Sequence, residues 1–213
     1  MIKGILLDMD GLISDTETLH MKAYQDAFRE KNIEISDEKY QSHWIQAGLG
    51  VRDFVKELNL DLEVEHMRDL KKIHFDKYLD TELKPMPYAV EFIKYFYGKI
   101  PMCVASGSLR KDVKKVLEQL EILDYMEFYL SHNDVENGKP HPEIWLRAVE
   151  KMGLKPEECI ALEDAEKGVV AAHKAGIPVI AIPNEHTKDN DFSLADYVVK
   201  DLKEAVQIIN KFR

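Results

Sequence analysis

The sequence lacks the features of membrane-spanning and secreted proteins. No apolar run approaches the ~20 residues needed to cross a bilayer. The N-terminus carries one lysine, a short apolar stretch and then acids, which is not the pattern of a signal peptide. Cys103 and Cys159 are the only cysteines, and each lies within an apolar stretch. This predicts buried, unreactive thiols without a disulfide framework, in a cytoplasmic protein that does not bind membranes.

Positive charge is also scarce. The formal net charge is −10, which argues against a nucleic-acid-binding surface. An anionic substrate would therefore need a local concentration of positive charge. The 213 residues suffice for one domain that carries a smaller insertion. With 45% hydrophobic and 32% charged residues, the composition is typical of a globular protein.

Short apolar runs alternate with stretches of helical period over most of the chain. The alternation predicts βαβ units and a parallel sheet covered by helices on both faces. The predicted buried strands are residues 2–7, 102–105, 159–162 and 179–182, with 128–130 and 197–199 as weaker candidates.

Residues 15–81 break this alternation. They contain no convincing strand and predict amphipathic helices over residues 18–31, 36–46, 51–58 and 62–78. We interpret this section as a helical domain inserted after the first strand. The remaining residues, 1–14 and 82–213, form the predicted α/β core.

The most informative motif is Asp8-Met-Asp10-Gly11, directly after the first strand. Side chains at i and i+2 point the same way, so both carboxylates leave the strand end on one side. Ligands bind at that end of open α/β sheets, and a magnesium ion held with a substrate phosphate would relieve the repulsion between the acids. The alternative is a capping Asp beside a turn Asp.

Three later segments each follow a predicted strand. Ser106-Gly107-Ser108 resembles a phosphate-binding loop, although either serine could be an ordinary N-cap. Lys139, between Gly138 and Pro140, could neutralise phosphate oxygens, or it could be a surface lysine in a turn.

The third segment contains Glu163 and Asp164, which suggest ligands for a hard metal ion. The alternative is helix-start chemistry, with Asp164 as the cap. Each signal is modest alone. Acids, a hydroxyl, a lysine and further acids at successive strand ends are together difficult to obtain by chance.

These motifs resemble those of the haloacid dehalogenase-like hydrolase superfamily, in particular the subgroup of β-phosphoglucomutases and small sugar-phosphate phosphatases. The first motif matches residues 8–17, Ser106 the second, Lys139 the third and residues 163–168 the fourth. The resemblance covers essentially the whole chain and implies a Rossmann-like parallel core with a helical cap over residues 15–81. Two positions depart from the family pattern: Ala165 replaces a Ser or Thr, from which we expect a lost local hydrogen bond, and Thr18 replaces a common proline.

The resemblance implies catalytic roles for Asp8, Asp10, Ser106 and Lys139. Asp8 would be the nucleophile that forms an aspartyl-phosphate, and Asp10 the general acid and base. Ser106 and the Gly107 amide would bind phosphoryl oxygens, whose charge Lys139 would offset. The implied Mg²⁺ ligands are the side chains of Asp8 and Asp164 and the backbone carbonyl of Asp10, with Glu163 as a further ligand or a second-shell acceptor.

The resemblance also assigns substrate-binding residues to the cap. His20 matches a histidine that engages Asp10 when the cap closes, Arg52 matches an arginine that grips a distal phosphate, and Thr16 lies at the hinge. The implied activity is a magnesium-dependent phosphatase that acts on small phosphorylated metabolites, with sugar phosphates expected. The alternative is a β-phosphoglucomutase-type phosphomutase that uses the same intermediate. A monomer is the expected state, because a cap of this kind must open and close.

Overall fold

The computed structural model describes residues 1–212 and divides the chain into two compact units. One unit contains Met1–Asp15 together with the chain from Lys84 onward, and the other is Thr16–Leu83. The sequence predicted the two divisions after residues 14 and 81. The proposed role of the second unit as a cap stays a prediction.

Strands and helices alternate in the first unit, whereas the second is helical. The strands are β1 (Gly4–Leu7), β2 (Met102–Ala105), β3 (Phe128–Leu130), β4 (Cys159–Glu163), β5 (Val179–Ala181) and β6 (Tyr197–Val198). The α-helices are α1 (Thr16–Arg29), α2 (Asp37–Tyr40), α3 (Val51–Glu57), α4 (Val64–Glu82), α5 (Ala89–Phe96), α6 (Arg110–Gln119), α7 (Glu143–Met152), α8 (Glu166–Lys174) and α9 (Leu202–Lys211).

The strands form one six-stranded sheet in the order β3-β2-β1-β4-β5-β6, and all pairings are parallel. β1, β2 and β4 are buried along their whole length, as expected for central strands covered on both faces. This confirms the predicted α/β, Rossmann-like core. β1 lies between β2 and β4, so the residues that follow these three strands share one edge of the sheet.

The core of this unit contains both cysteines. Cys103 and Cys159 are buried and free, as predicted. Burial raises the pKa of both thiols, that of Cys159 to about 11. Both thiols are therefore unreactive members of the core.

The helical unit has an aromatic core of its own. Tyr40, Phe54 and Phe28 are buried, and Tyr24 and Trp44 pack against them. The predicted helix over residues 36–46 consists instead of α2 and a π-helix, Gln41–Gln46.

The wider π-helical turn accompanies the burial of His43. Its ring nitrogens lie 3.1 Å from a Glu57 carboxylate oxygen and 3.1 Å from the Gly50 carbonyl oxygen. Within residues 1–212, every helix is too short or too polar to span a membrane.

Candidate active site

The ends of three neighbouring strands bring the predicted core residues together. Asp8 directly follows β1, Ser106 directly follows β2, and Glu163 is the last residue of β4. The hydrogen bond from the Asp8 amide to the Leu162 carbonyl, at 3.0 Å, extends the ladder between β1 and β4 to this point. Asp8, Ser106, Glu163 and the adjacent Asp164 are all buried. The parallel sheet thus places polar and acidic side chains where water is largely excluded.

Lys139 lies between two of these acids. Its Nζ donates to Asp8 Oδ1 at 2.5 Å and to Glu163 Oε1 at 2.6 Å, and its side chain is only 6% exposed. The ammonium also lies 4.3 Å from the centre of the Trp145 ring. Trp145 is buried, and its indole N–H donates to the Gly168 carbonyl at 3.2 Å. The lysine is thus fixed by two carboxylates and an aromatic face.

The charges of this cluster shift one another's protonation. Burial raises the pKa of Asp8 to about 7, the negative charge of Glu163 adds to the effect, and the Lys139 ammonium opposes it. Burial alone would lower the pKa of Lys139, but the carboxylates of Asp8 and Glu163 outweigh it and raise that pKa above its usual value. Lys139 therefore stays charged at neutral pH. Asp8 needs further positive charge nearby to be fully ionised there.

Glu163 uses both of its carboxylate oxygens. Oε1 accepts from Lys139, and Oε2 accepts from the backbone amides of Asp164 and Ala165 at 2.9 and 3.0 Å. A Cβ on Gly168 would lie 1.6 Å from Glu163 Oε1. The glycine of the fourth motif therefore makes room for the buried glutamate.

Asn184 holds the side chain of Asp164. The Asn184 amide donates to Asp164 Oδ2 at 2.9 Å and to the Gly11 carbonyl at 3.0 Å. Gly11 has a φ of +83°, and a Cβ there would lie 2.3 Å from Asp164 Oδ2. The glycine of the first motif is thus required both by its left-handed backbone and by the close approach of Asp164.

Asp10 faces the serine loop after β2. The hydroxyls of Ser106 and Ser108 each donate to Asp10 Oδ2 at 2.8 Å, and Ser106 Oγ also accepts the Ser108 amide at 2.9 Å. Gly107 is exposed at the tip of this loop. The loop therefore positions the carboxylate that was predicted to transfer protons.

The structure contradicts three of the alternative interpretations. Neither serine caps a helix, because α6 begins at Arg110 with Leu109 as an N-cap that makes no side-chain hydrogen bond. Asp164 is not a cap either, since the N-cap of α8 is Ala165, again without a side-chain bond. Lys139 is a buried, doubly paired lysine rather than a surface residue. Ala165, where the family pattern has Ser or Thr, is the N-cap of α8 and makes no side-chain hydrogen bond.

The donor set suits a hard divalent cation. Asp8, Glu163 and Asp164 are buried and offer carboxylate oxygens within 4.8 Å of one another. Lys139 is the cation that pairs with two of these acids, so the cluster keeps an excess of buried negative charge. Oxygen ligands around excess negative charge are what Mg²⁺ binds. The assignment of these residues as ligands stays a prediction.

The substrate-binding residues predicted in the helical unit lie on its first and third helices. Thr16 is buried at the start of α1, and Arg52 is exposed at the second position of α3. The His20 ring stacks on Phe75 with centroids 4.0 Å apart, and its Nδ1 lies 2.6 Å from Lys71 Nζ. Tyr24 and Trp44 belong to the aromatic core of this unit. The roles of Thr16, His20 and Arg52 stay predictions.

Sequence reasoning gave no role at the site to Trp145, Asn184 and Glu143, and it placed Ser108 in the predicted phosphate-binding loop without its contact to Asp10. Ser108, Trp145 and Asn184 contact Asp10, Lys139 and Asp164 respectively, and Glu143 holds the Lys139 loop. A signal for Asn184 was present in the sequence, because an asparagine follows β5 in the segment Ile182-Pro183-Asn184. Polar residues just beyond a parallel strand belong to the functional edge of the sheet.

Known proteins share both the sequence pattern and the fold. Fructose-1-phosphate phosphatase YqaB of Escherichia coli is 27% identical over 180 residues, which cover 84% of this chain and 95% of that protein. A phosphorylated carbohydrates phosphatase of Thermotoga maritima is 26% identical over 180 residues, which cover 83% of this chain and 82% of that protein.

Among solved structures, a variant of CbbY from Rhodobacter sphaeroides in complex with xylulose-(1,5)-bisphosphate superposes with a TM-score of 0.82. It is 22% identical, and the match covers 96% of each chain. The model of the haloacid dehalogenase-like hydrolase family matches residues 2–176, which confirms the resemblance. The chain belongs to the haloacid dehalogenase-like hydrolases.

Proposed function

We propose that the protein is a magnesium-dependent phosphatase that acts on small phosphorylated metabolites, in particular sugar phosphates, through an aspartyl-phosphate. One observation carries the proposal: Asp8 is buried between a lysine and further acids, while Asp10 lies beside it in sequence and is held by two hydroxyls. This is a carboxylate nucleophile next to a second carboxylate that is positioned to move protons.

The first step transfers the phosphoryl group to the protein. A carboxylate oxygen of Asp8 attacks phosphorus, and the bond between phosphorus and the ester oxygen breaks. Asp10 in its acid form gives a proton to the departing oxygen, which leaves as an alcohol. Lys139 offsets negative charge next to Asp8, where the phosphoryl oxygens would lie.

The second step releases phosphate. Asp10, now a carboxylate, takes a proton from water as the water oxygen attacks phosphorus, and the bond between phosphorus and Asp8 breaks. The hydroxyls of Ser106 and Ser108 keep the Asp10 carboxylate in place through both steps. The exposed Gly107 amide is available to a phosphoryl oxygen.

Asp8, Asp164 and the Asp10 carbonyl would hold the magnesium ion, with Glu163 as a further ligand or as a second-shell acceptor. When bound, the ion polarises the phosphoryl group and offsets the charge of the acids. Because burial raises the pKa of Asp8 to about 7, positive charge at this position favours the ionised nucleophile.

The names of relatives support sugar phosphates as the substrate class. The Escherichia coli relative is named a fructose-1-phosphate phosphatase, and the Thermotoga maritima relative a phosphorylated carbohydrates phosphatase. An exposed Arg52 and the His20–Lys71 pair give the helical unit groups that suit a phosphorylated, hydroxyl-rich ligand.

A phosphomutase of the β-phosphoglucomutase type is the second candidate. It would pass the phosphoryl group of Asp8 to a sugar hydroxyl instead of water. His20 and Arg52 motivate it, since the resemblance links these residues to mutases, but both also occur in phosphatases of the subgroup and therefore do not separate the two candidates. The two candidates share the first step and differ only in the acceptor.

The test is release of inorganic phosphate from a panel of sugar phosphates, with Mg²⁺ and with excess chelator. We expect hydrolysis of at least one member with Mg²⁺, and a loss above about 10³-fold in Asp8→Asn, which keeps the shape of the side chain and removes the nucleophile. Undiminished turnover by Asp8→Asn or in chelator would contradict the proposal. Conversion of β-glucose 1-phosphate to glucose 6-phosphate without phosphate release would identify a mutase.

A further inference from the structure

Lys139 lies in an irregular segment, so neither a strand nor a helix fixes its backbone. The segment runs from the end of a short 3₁₀ turn, His132–Asp134, to the start of α7 at Glu143. A lysine side chain has four rotatable carbon links and loses much freedom when its end is held at one point. Something must therefore fix the loop for Nζ to stay between Asp8 and Glu163.

Glu143 closes this loop with its side chain. Its Oε1 accepts the backbone amide of Glu136 at 3.0 Å. Its Oε2 accepts the backbone amide of Asn137 at 3.0 Å and the side-chain amide of Asn137 at 3.1 Å. The first residue of α7 is thus tied to Glu136 and Asn137, near the start of the segment. Lys139 lies within the closed loop.

Other contacts fix the loop between these ends. The His141 amide donates to the Gly138 carbonyl at 3.0 Å, which closes a turn around Lys139. On the solvent side, Arg147 donates to Glu143 Oε1 from Nε at 3.1 Å and from Nη2 at 2.8 Å. The Glu143 side chain is 16% exposed and that of Arg147 is 50% exposed. These hydrogen bonds of Arg147 go to the Glu143 carboxylate and are separate from the contacts of Glu143 with the loop amides.

The low pKa of Glu143 is a consequence of these hydrogen bonds. The backbone amide of Glu136, supported by the amides of Asn137 and by Arg147, lowers the pKa of Glu143 to about 2. The carboxylate is thus a full acceptor throughout the neutral range. Sequence reasoning gave this residue no role.

We propose that Glu143 is a positioning residue for the lysine of the active site: its carboxylate ties the start of the segment to the start of α7 and thereby holds Lys139 between Asp8 and Glu163. The catalytic consequence rests on the proposed function, whereas the placement of Lys139 does not. The Glu143 carboxylate accepts hydrogen bonds from Glu136, Asn137 and Arg147, so its effect on the reaction acts through Lys139.

The test uses Glu143→Ala, Glu143→Gln and the control Arg147→Ala. Glu143→Gln keeps the volume and one carbonyl oxygen but places an NH₂ group against a backbone donor. Arg147→Ala removes the neighbouring charge and leaves both backbone contacts of Glu143. Two quantities are measured on the folded proteins: the rate at which Lys139 is acetylated, by mass spectrometry, and the kcat of phosphate release.

In Glu143→Ala we expect faster acetylation of Lys139 than in the wild type, because the loop no longer confines its side chain. We expect kcat to fall about 10–10²-fold, since a displacement of about 1 Å at a reacting group costs up to about 10²-fold. Glu143→Gln should lie between these values. Arg147→Ala should acetylate at the wild-type rate and stay within about twofold of the wild-type kcat.

A double-variant comparison separates positioning from a general loss of structure. In a Lys139→Met background, Glu143→Ala should lower kcat no further, because the residue it positions is already gone. An equal loss in both backgrounds would overturn the proposal, as would an unchanged acetylation rate of Lys139 in Glu143→Ala. If the wild type releases no phosphate from any substrate, the proposed function fails. The acetylation rates still decide whether Glu143 holds Lys139 in place.

Discussion

The two units of the chain treat charge in different ways. At the sheet edge, Lys139, Asp8 and Glu163 are buried and tied together, although 131 residues separate the first two in sequence. In the helical unit, the core is aromatic, and ion pairs such as Arg68–Glu65 and Lys39–Glu57 lie at the surface. Surface pairs of this kind contribute little to stability.

The different placement of charged side chains suggests different roles for the two units. Burial of several charges is costly unless they are paired, and a fold that needed only stability would fill the same space with apolar side chains. We therefore expect the chemistry to take place at this buried cluster, which has more acids than bases. The helical unit has an ordinary apolar core with polar groups on its helices, and its role in recognising a substrate stays a prediction. Substitutions in the two units should accordingly alter different kinetic constants.

Of the substitutions that compare the two units, the largest effect is expected for Lys139→Met, which keeps most of the length of the side chain and removes its charge. We predict that kcat for phosphate release falls about 10²–10³-fold, as when other charge-stabilising groups are removed. In chelator, the free energy of unfolding should fall by about 3–5 kcal/mol, because the carboxylates of Asp8 and Glu163 lose their buried partner. Urea denaturation checks the second value. If Lys139→Met is as stable as the wild type, pairing with Lys139 does not offset the cost of burying the carboxylates of Asp8 and Glu163.

The sheet edge could be predicted from sequence because strand geometry is simple. Apolar runs identify β1, β2 and β4, parallel strands end at one edge, and Asp8, Ser106 and Glu163 stand directly at these ends. Gly11 and Gly168 were visible as parts of motifs. Their physical reason, the close approach of Asp164 and Glu163, required the structure.

Contacts between distant loops could not be predicted in the same way. Asn184 reaches Gly11 across 173 residues, and Glu143 holds Lys139 through backbone amides, which leave no pattern in the sequence. In the helical unit, apolar periodicity located the helices. It did not reveal the π-helix of residues 41–46, because the burial of His43 against Gly50 depends on tertiary packing.

The second prediction concerns Asn184, which orients an acid of the sheet edge. In Asn184→Ala, Asp164 Oδ2 loses the amide donor of Asn184, which weakens the restraint on the orientation of the carboxylate. We predict that the Mg²⁺ concentration for half-saturation rises about 10–100-fold, the usual cost of removing a partner that orients a metal ligand. Calorimetric titration with Mg²⁺ in the absence of substrate measures it.

Asn190→Ala is the matched control for this measurement. Asn190 accepts the Glu166 amide from a nearby loop, and no hydrogen bond links it to Asp164 among the described residues. Its Mg²⁺ affinity should equal that of the wild type. Equal weakening in both variants would mean that Asn184 acts through general stability rather than through Asp164.

The third prediction concerns Arg52 of the helical unit and its effect on substrate binding. Arg52→Ala should raise KM for a sugar phosphate about tenfold with little change in kcat, because loss of one charge-assisted hydrogen bond to a remote group weakens ground-state and transition-state binding alike. Lys56→Ala, an exposed cation one turn further along α3, is the control and should leave KM unchanged. A fall in kcat without a rise in KM would mean that Arg52 acts in the chemical step. The two units would then not differ in the kinetic constant that their substitutions alter.

The smallest effect concerns the N-cap of α8, which lacks the side-chain hydrogen bond that caps α2 in the helical unit. Ser36 caps α2 by accepting the Lys39 amide, whereas Ala165 is the N-cap of α8 without any side-chain bond. The backbone of Ala165 already has the extended conformation of a cap (φ −118°, ψ 146°), so Ala165→Ser should raise the free energy of unfolding by about 1 kcal/mol. Thermal and urea denaturation measure the gain. If Ala165→Ser is no more stable than the wild type, the Glu163 carboxylate, which already accepts the Ala165 amide, satisfies the start of α8 by itself. The buried acid would then serve the helix as well as the active site.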